Sequence, residues 1–159
     1  MAFYIGQPYR QDPVSIGSPD LSLLQSISIG FDVKDSVEHW VSEGQRREDI
    51  LYFSIFLGQE LIGQILLHDL NPETGESLVA YHLFSPSMRG QGIGTKSLPL
   101  LQYHILHQTT LKKLVIIASR DNLASQRIAQ ICGFQYVGAS REDPANEMVF
   151  EWNVPRSSH

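Results

Sequence analysis

The strongest chemical signal in the chain is a glycine-rich segment at residues 89–95, which reads Arg-Gly-Gln-Gly-Ile-Gly-Thr. It follows an apolar segment at 78–84 and precedes residues with helical periodicity, which predicts a strand-to-helix junction. Glycines allow a tight turn and close approach of the backbone to a ligand. A helix start adds unpaired N–H groups and partial positive charge. We therefore predict a pyrophosphate-binding loop formed by Arg89, Gly90, Gln91, Gly92, Ile93, Gly94 and Thr95.

The glycine spacing distinguishes between the common nucleotide-binding loops. A Walker P-loop places lysine directly after its last glycine, but Thr95 separates Gly94 from Lys96. A dinucleotide-binding fingerprint reads Gly-x-Gly-x-x-Gly, and here the third glycine comes one residue early. Asp121 follows the next predicted strand, so the dinucleotide interpretation stays open as the weaker alternative.

A second segment carries an independent pattern at residues 114–134. The apolar run 114–118 predicts a strand, and Asn122, Ser125 and then Gly133-Phe134 follow it. The order and separation of the two segments resemble the GNAT superfamily of N-acetyltransferases over roughly residues 77–137. The Asn-x-x-Ser form and Tyr81 are most similar to the subgroup that acetylates the N-terminal amines of ribosomal proteins.

The resemblance implies acetyl-CoA as cosubstrate and assigns roles to residues outside the loop. Backbone groups of His82, Leu83 and Phe84 would hold the pantetheine arm, in a splayed gap between their strand and the one that ends at Ala118. Asn122 would contact the pantetheine, although asparagine is also a preferred helix cap. Ser125 would protonate the departing thiolate. The alternative for Ser125 is a hydroxyl bonded back to a helix carbonyl.

The catalytic residues depart from the wider family at Ala129, where many members carry a tyrosine as general acid. A thiolate is a competent leaving group, so Ser125 or water could replace that acid. For the base that accepts a proton from the amine, His82 is a candidate because histidine titrates near neutrality. Glu76 and Glu38 are further candidates, and a purely structural role for His82 is the alternative.

The composition of the chain indicates its domain organisation and argues against several other classes of function. A chain of 159 residues with 42% hydrophobic and 18% charged residues fits a single domain spanning 1–159. A net charge of −5 argues against nucleic-acid binding. The sequence has neither a membrane-length apolar run nor the spacing of metal ligands, so we expect no membrane association, no metal and a cytoplasmic location. We expect a monomer or a homodimer.

The predicted element order is βααβββαβαββ, an α/β (α+β) fold of GNAT type with a mixed central sheet of about six to seven strands between about four helices. We predict that Ser18 caps the first helix and that residues 35–38 form a capping box for the second. Pro99 places the start of the third helix near residues 94–97, which keeps the proline in the first turn. We predict that His104 and His107 are solvated and that residues 156–159 form a loose tail.

These patterns predict an acetyl-CoA-dependent N-acetyltransferase in which a neutral primary amine attacks the thioester directly in a ternary complex. A peptide or protein N-terminal amine is the expected acceptor. The alternatives are a polyamine or aminoglycoside acetyltransferase and a noncatalytic acyl-CoA-binding regulatory module.

Overall fold

The computed structural model describes residues 3–156. Its strands are β1 Tyr9–Gln11, β2 Val14–Gly17, β3 Leu51–Leu57, β4 Glu60–Asn71, β5 Glu76–Leu83, β6 Lys113–Ser119, β7 Gln135–Ala139 and β8 Glu147–Asn153. Its helices are α1 Leu21–Ser26, α2 Lys34–Gly44, α3 Ile93–Gln108 and α4 Leu123–Ile131, with a 3-10 turn at Pro86–Met88. The predicted α/β class and GNAT-like order are confirmed.

One mixed sheet forms the middle layer, in the order β1-β2-β3-β4-β5-β6-β8-β7. All neighbouring strands run antiparallel except β5 and β6, which are parallel. Because α3 connects this parallel pair, it crosses over one face of the sheet.

Two apolar clusters hold the layers together, one on each face of the sheet. Residues of α3 and α4, including Leu101 and Ala129, share a buried cluster with Phe53 and Leu114 of the sheet. Residues of α1 and α2, including Leu24 and Val37, share the other cluster with sheet residues of the opposite face. Side chains of a strand alternate between these two clusters because successive residues point to opposite faces.

The parallel pair is short, and this shapes the middle of the sheet. Pairing between β5 and β6 is confined to Glu76–Lys113, Ser77–Leu114 and Leu78–Val115. Beyond these positions β5 continues to Leu83 and β6 to Ser119 without pairing to each other. The sheet therefore opens into a gap, in agreement with the splay that the family resemblance implied.

Some predicted details were wrong. The sheet has eight strands because the N-terminal segment forms a β1–β2 hairpin instead of one strand. Helix α1 begins after Asp20, whose carboxylate accepts from the Leu23 N–H, while the hydroxyl of Ser18 bonds to Gly6. Helix α2 begins at Lys34 without a side-chain cap, so the predicted capping box lies within its first turn.

Three further expectations, on the start of the third helix, on His104 and on the C-terminal tail, were also wrong. Helix α3 begins at Ile93, directly after a left-handed Gly92, and this places Pro99 beyond the first turn. His104 is buried, with Nδ1 2.7 Å from the Tyr9 hydroxyl. Arg156 is anchored because its guanidinium donates to carbonyls of α3 and of Leu111. Residues 157–159 of the predicted tail, and residues 1–2, lie outside the described part.

No helix within residues 3–156 is long and apolar enough to cross a bilayer.

Candidate active site

The gap between β5 and β6 contains a cleft with two chambers. The cradle chamber, about 940 Å³, is lined by the glycine-rich loop, the start of α3 and one side of α4. The histidine chamber, about 810 Å³, is lined by Trp40, His68, Asp69 and the β7–β8 connection. Both chambers share the walls Tyr81, His82, Ser119, Asn122, Ser125 and Ile128. The two chambers therefore adjoin at these residues, beside the point where the sheet divides.

The glycines of the loop serve two different purposes. Gly90 and Gly92 have φ values of 76° and 75°, in the left-handed region that side chains with a Cβ rarely adopt. A Cβ on Gly94 would lie 2.5 Å from Cδ1 of Ile128, so this glycine lets α3 approach α4. Gly92 provides no side-chain cap for α3, which leaves N–H groups of its first turn directed at the cradle chamber.

Arg89 lines the cradle chamber and is paired with an acid. Its Nη2 lies 2.7 Å from Oδ2 of Asp32, a residue of the α1–α2 connection. That connection is also tied to the end of β5, where the Gly30 N–H donates to the Phe84 carbonyl at 2.6 Å. An anionic ligand in the chamber would compete with Asp32 for the guanidinium.

Asn122 and Ser125 lie where the two chambers meet. Oδ1 of Asn122 accepts from the Ser125 N–H at 3.0 Å, so the asparagine caps α4 and keeps its amide nitrogen for other partners. The Ser125 hydroxyl makes no hydrogen bond within residues 3–156, which speaks against a back-bonded hydroxyl. Ala129 is fully buried one turn further along.

Strand β5 presents both faces to the cleft. Tyr81 packs with the α3–α4 cluster, and burial raises the pKa of its hydroxyl. His82 points to the other face, where it pairs across the sheet with Gln64. Leu83 lines the cradle chamber, whereas Phe84 does not, because its side chain is buried in the α1–α2 cluster and its N–H donates to the Ile62 carbonyl.

His82 belongs to a buried polar chain. The Tyr52 hydroxyl donates to Oε1 of Gln64 at 2.5 Å, and Nε2 of Gln64 lies 3.1 Å from Nδ1 of His82. Burial, together with the charge of nearby His68, lowers the pKa of His82 to about 4. The imidazole is therefore neutral over the physiological range, and this makes it a weak proton acceptor.

Some of the remaining predicted site residues line the cleft and others do not. Gly90, Gly92, Ile93, Gly94 and Thr95 line the cradle chamber, whereas Gln91 turns its amide to the Ser87 carbonyl. Of the other candidate bases, Glu76 is ion-paired with Lys113 and Glu38 with Lys34, and neither lines the cleft.

Sequence reasoning missed Trp40, His68 and Asp69, which form one wall of the histidine chamber. The ring centroids of Trp40 and His68 are 4.4 Å apart, and Nδ1 of His68 is 2.6 Å from Oδ2 of Asp69. A usable signal was present in β4, where Gln64 and His68 are four residues apart in an otherwise apolar run. Residues separated by an even number of positions in a strand point to the same face of the sheet.

Solved acetyltransferases share this fold. RimL, described as a ribosomal alpha-N-protein acetyltransferase in complex with coenzyme A, superposes with a TM-score of 0.72 at 19% identity, covering 93% of this chain and 98% of that one. MccE, a microcin self-immunity acetyltransferase bound to acetyl-CoA and AMP, gives a TM-score of 0.68 at 18% identity, covering 91% and 94%. At these identities the likeness concerns the fold.

The sequence itself identifies the family. Residues 29–135 match the family model of the acetyltransferase (GNAT) domain, and the chain belongs to this family. A ribosomal-protein-serine acetyltransferase of Escherichia coli (strain K12) is 32% identical over 90 residues, which are 57% of this chain and 50% of that protein. The alignment thus spans about half the length of this curated relative.

The lowered pKa of His82 predicts a pH-dependent stability. Between pH 6.5 and about 4 the unfolded histidine binds a proton that the folded one excludes, so the free energy of unfolding falls as the pH falls. The full effect is about 3 kcal/mol. Urea unfolding across this range should show a steeper loss for the wild type than for His82→Gln. The pKa of His104 is also lowered by burial, but its contribution is common to both proteins. Parallel pH profiles would contradict the prediction.

Proposed function

We propose that the protein is an acetyl-CoA-dependent N-acetyltransferase that acts on a primary amine, specifically the α-amino group of a peptide or protein. The observation that carries this proposal is that the cradle chamber at the glycine-rich loop and the histidine chamber adjoin where the sheet divides, with six wall residues in common. A cosubstrate can enter at the loop and an acceptor from the opposite chamber, so that the two meet beside Asn122 and Ser125.

The loop residues would hold the pyrophosphate of acetyl-CoA. The uncapped N–H groups of α3 and the left-handed Gly90 and Gly92 supply backbone donors, and Arg89 supplies a positive charge. Further along, the edge of β5 beyond Leu78 has no partner strand on the β6 side. Its free backbone groups suit the amides of the pantetheine arm, and the free amide nitrogen of Asn122 faces the same space.

In this proposal the chain's own residues arrange a direct attack. Holding both reactants in one cleft replaces an encounter in solution. A gap-facing backbone N–H of β5, between Leu78 and Leu83, would stabilise the oxyanion that develops on the thioester carbonyl. The Ser125 hydroxyl has no hydrogen-bond partner within the described residues. It would return a proton to the thiolate, the role of the tyrosine that many family members carry at the position of Ala129.

The acceptor class follows from charge and basicity. Three carboxylates, those of Asp69, Glu142 and Glu147, line the histidine chamber against one guanidinium, that of Arg141, so an ammonium group is favoured there. An α-amino group has a pKa of about 7.7–8.0, against about 10.4 for lysine, and loses its proton more easily at neutral pH. The similarity to a ribosomal-protein-serine acetyltransferase supports a protein N-terminus as acceptor. The same carboxylates favour a polyamine or aminoglycoside as the second candidate.

Replacement of Gly92 by valine should abolish ligand binding. Acetyl-CoA at 100 times its dissociation constant should stabilise the wild type by about 2.7 kcal/mol. A β-branched residue cannot keep the left-handed backbone of Gly92 without strain. Gly58→Val is a matched control, because Gly58 has φ 61° in the β3–β4 turn, away from the cleft. Thermal melts should show a ligand shift for Gly58→Val and none for Gly92→Val, and equal shifts would place the ligand elsewhere.

Removal of the Asp32 carboxylate should strengthen acetyl-CoA binding. Asp32 and Arg89 are 48% and 45% exposed, so their ion pair contributes at most about 1 kcal/mol, or up to about fivefold in affinity. Calorimetric titration of Asp32→Asn at low salt should show this gain, which should shrink at high salt. Asp35→Asn, which removes an acid from the first turn of α2, controls for net charge. The same affinity in both variants would mean that Asp32 does not compete.

A competition between acceptors tests the substrate class. Peptides with a free α-amine should release coenzyme A thiol from acetyl-CoA, whereas the same peptides with an acetylated N-terminus should not. Spermidine and an aminoglycoside serve as comparison substrates under the same conditions. Turnover of the polycations alone would favour the small-molecule alternative. Binding of acetyl-CoA without turnover of any amine would favour the noncatalytic module.

A further inference from the structure

The histidine chamber contains two imidazoles on the same face of the sheet. Across the β4–β5 ladder, Gln64 pairs with His82 and His68 pairs with Leu78. Because His68 and Gln64 are four residues apart, as are Leu78 and His82, both histidines point to the face covered by α2. Leu78 is also the last β5 residue that pairs with β6, so His68 lies beside the point where the gap opens.

The hydrogen bond of His68 defines which ring nitrogen is basic. Its Nδ1 lies 2.6 Å from Oδ2 of Asp69, and an ionised carboxylate can only accept, so Nδ1 carries the proton of the neutral ring. The lone pair is then on Nε2. Within residues 3–156 this atom has no hydrogen-bond partner and keeps some solvent exposure, and the His68 side chain lines the chamber.

The ring of His68 is held in place from several sides. Trp40 packs against it, and Nη2 of Arg47 lies 3.3 Å from Oδ1 of Asp69, which orients the carboxylate. Asp69 itself has a φ of 50°, a left-handed conformation that is uncommon for residues other than glycine, at an irregularity in the β4–β5 ladder.

His82 has the opposite arrangement. The Tyr52 hydroxyl donates to Oε1 of Gln64, so the Gln64 amide nitrogen faces His82 and donates to Nδ1. Reversal of the amide would leave the buried Tyr52 hydroxyl hydrogen without an acceptor. The proton of neutral His82 is therefore on Nε2, and its only lone pair is occupied. His82 can donate a hydrogen bond into the cleft, but it is poorly suited to take a proton.

We propose that His68, oriented by Asp69, is the catalytic residue that takes the proton from the acceptor ammonium, and that His82 is not. This assignment rests on the proposed function. Nε2 of His68 accepts one ammonium proton, directly or through water, and later releases it to solvent. The neutral amine nitrogen then forms a bond to the thioester carbon, the carbon–sulfur bond breaks, and the second amine proton ends on the thiolate sulfur. The products are an amide and coenzyme A thiol.

The experiment compares wild type with His68→Gln and Asp69→Asn, using a peptide with a free α-amine and thiol release as readout from pH 6 to 9.5. At pH 7 about a tenth of an α-amine with a pKa near 8 is already neutral, so His68→Gln should lower kcat/KM by up to about tenfold. The loss should shrink toward pH 9.5, because the α-amine is then already neutral. Asp69→Asn should show a smaller loss with the same pH trend. His107→Gln, an exposed position on α3 outside the cleft, is the control and should keep wild-type rates.

The pH profile must allow for the charged and titratable groups around His68. These are Asp69, Arg47 behind it, His82 on the neighbouring strand, and Arg141, Glu142 and Glu147 across the chamber. Acetyl-CoA affinity and thermal stability, measured on every variant, should stay at wild-type values and so exclude misfolding. A His68→Gln protein with unchanged kcat/KM at pH 7, or with the same loss at every pH, overturns the assignment of His68 and leaves the proposed function standing. A wild type that turns over no amine overturns the proposed function, and the assignment with it.

Discussion

Backbone pairing between β5 and β6 stops after three residues, and the geometry of the cleft follows from this. Both strands continue, so the sheet carries unpaired backbone groups at its centre instead of only at its edges. Close contact of Gly94 with Ile128, next to Tyr81, brings α3 and α4 together over the opening. The helices bridge the two halves of the sheet, while the strands between them leave room for a ligand with amide groups of its own.

Two polar arrangements on β4 give the neighbouring histidines different protonation sites. A carboxylate next to His68 places the proton on Nδ1, and a glutamine amide next to His82 places it on Nε2. The same side chain thus provides an acceptor in one position and a donor in the other. This difference depends on single hydrogen bonds, one to the exposed carboxylate of Asp69 and the others within the buried pair Gln64 and Tyr52.

The sequence predicted what short-range patterns determine. The loop glycines, the strand before them, the cap at Asn122 and the amphipathic helices all follow from local spacing, and the structure contains each of them. The ion pair of Arg89 with Asp32 depends on the path of the α1–α2 connection, which no periodicity specifies. The side chains that face His82 and His68 depend on strand register, because a shift by one residue would exchange the faces.

The interruption of the sheet also affects how stability is distributed along the chain. In most sheets the central strands are the last to open, and their amides exchange with solvent most slowly. Here the amides of β5 and β6 that face the gap have no partner across it, although these strands lie in the middle of the fold. The centre of the molecule is thus divided into a protected half, where β5 pairs with β4, and a half whose protection depends on what occupies the opening.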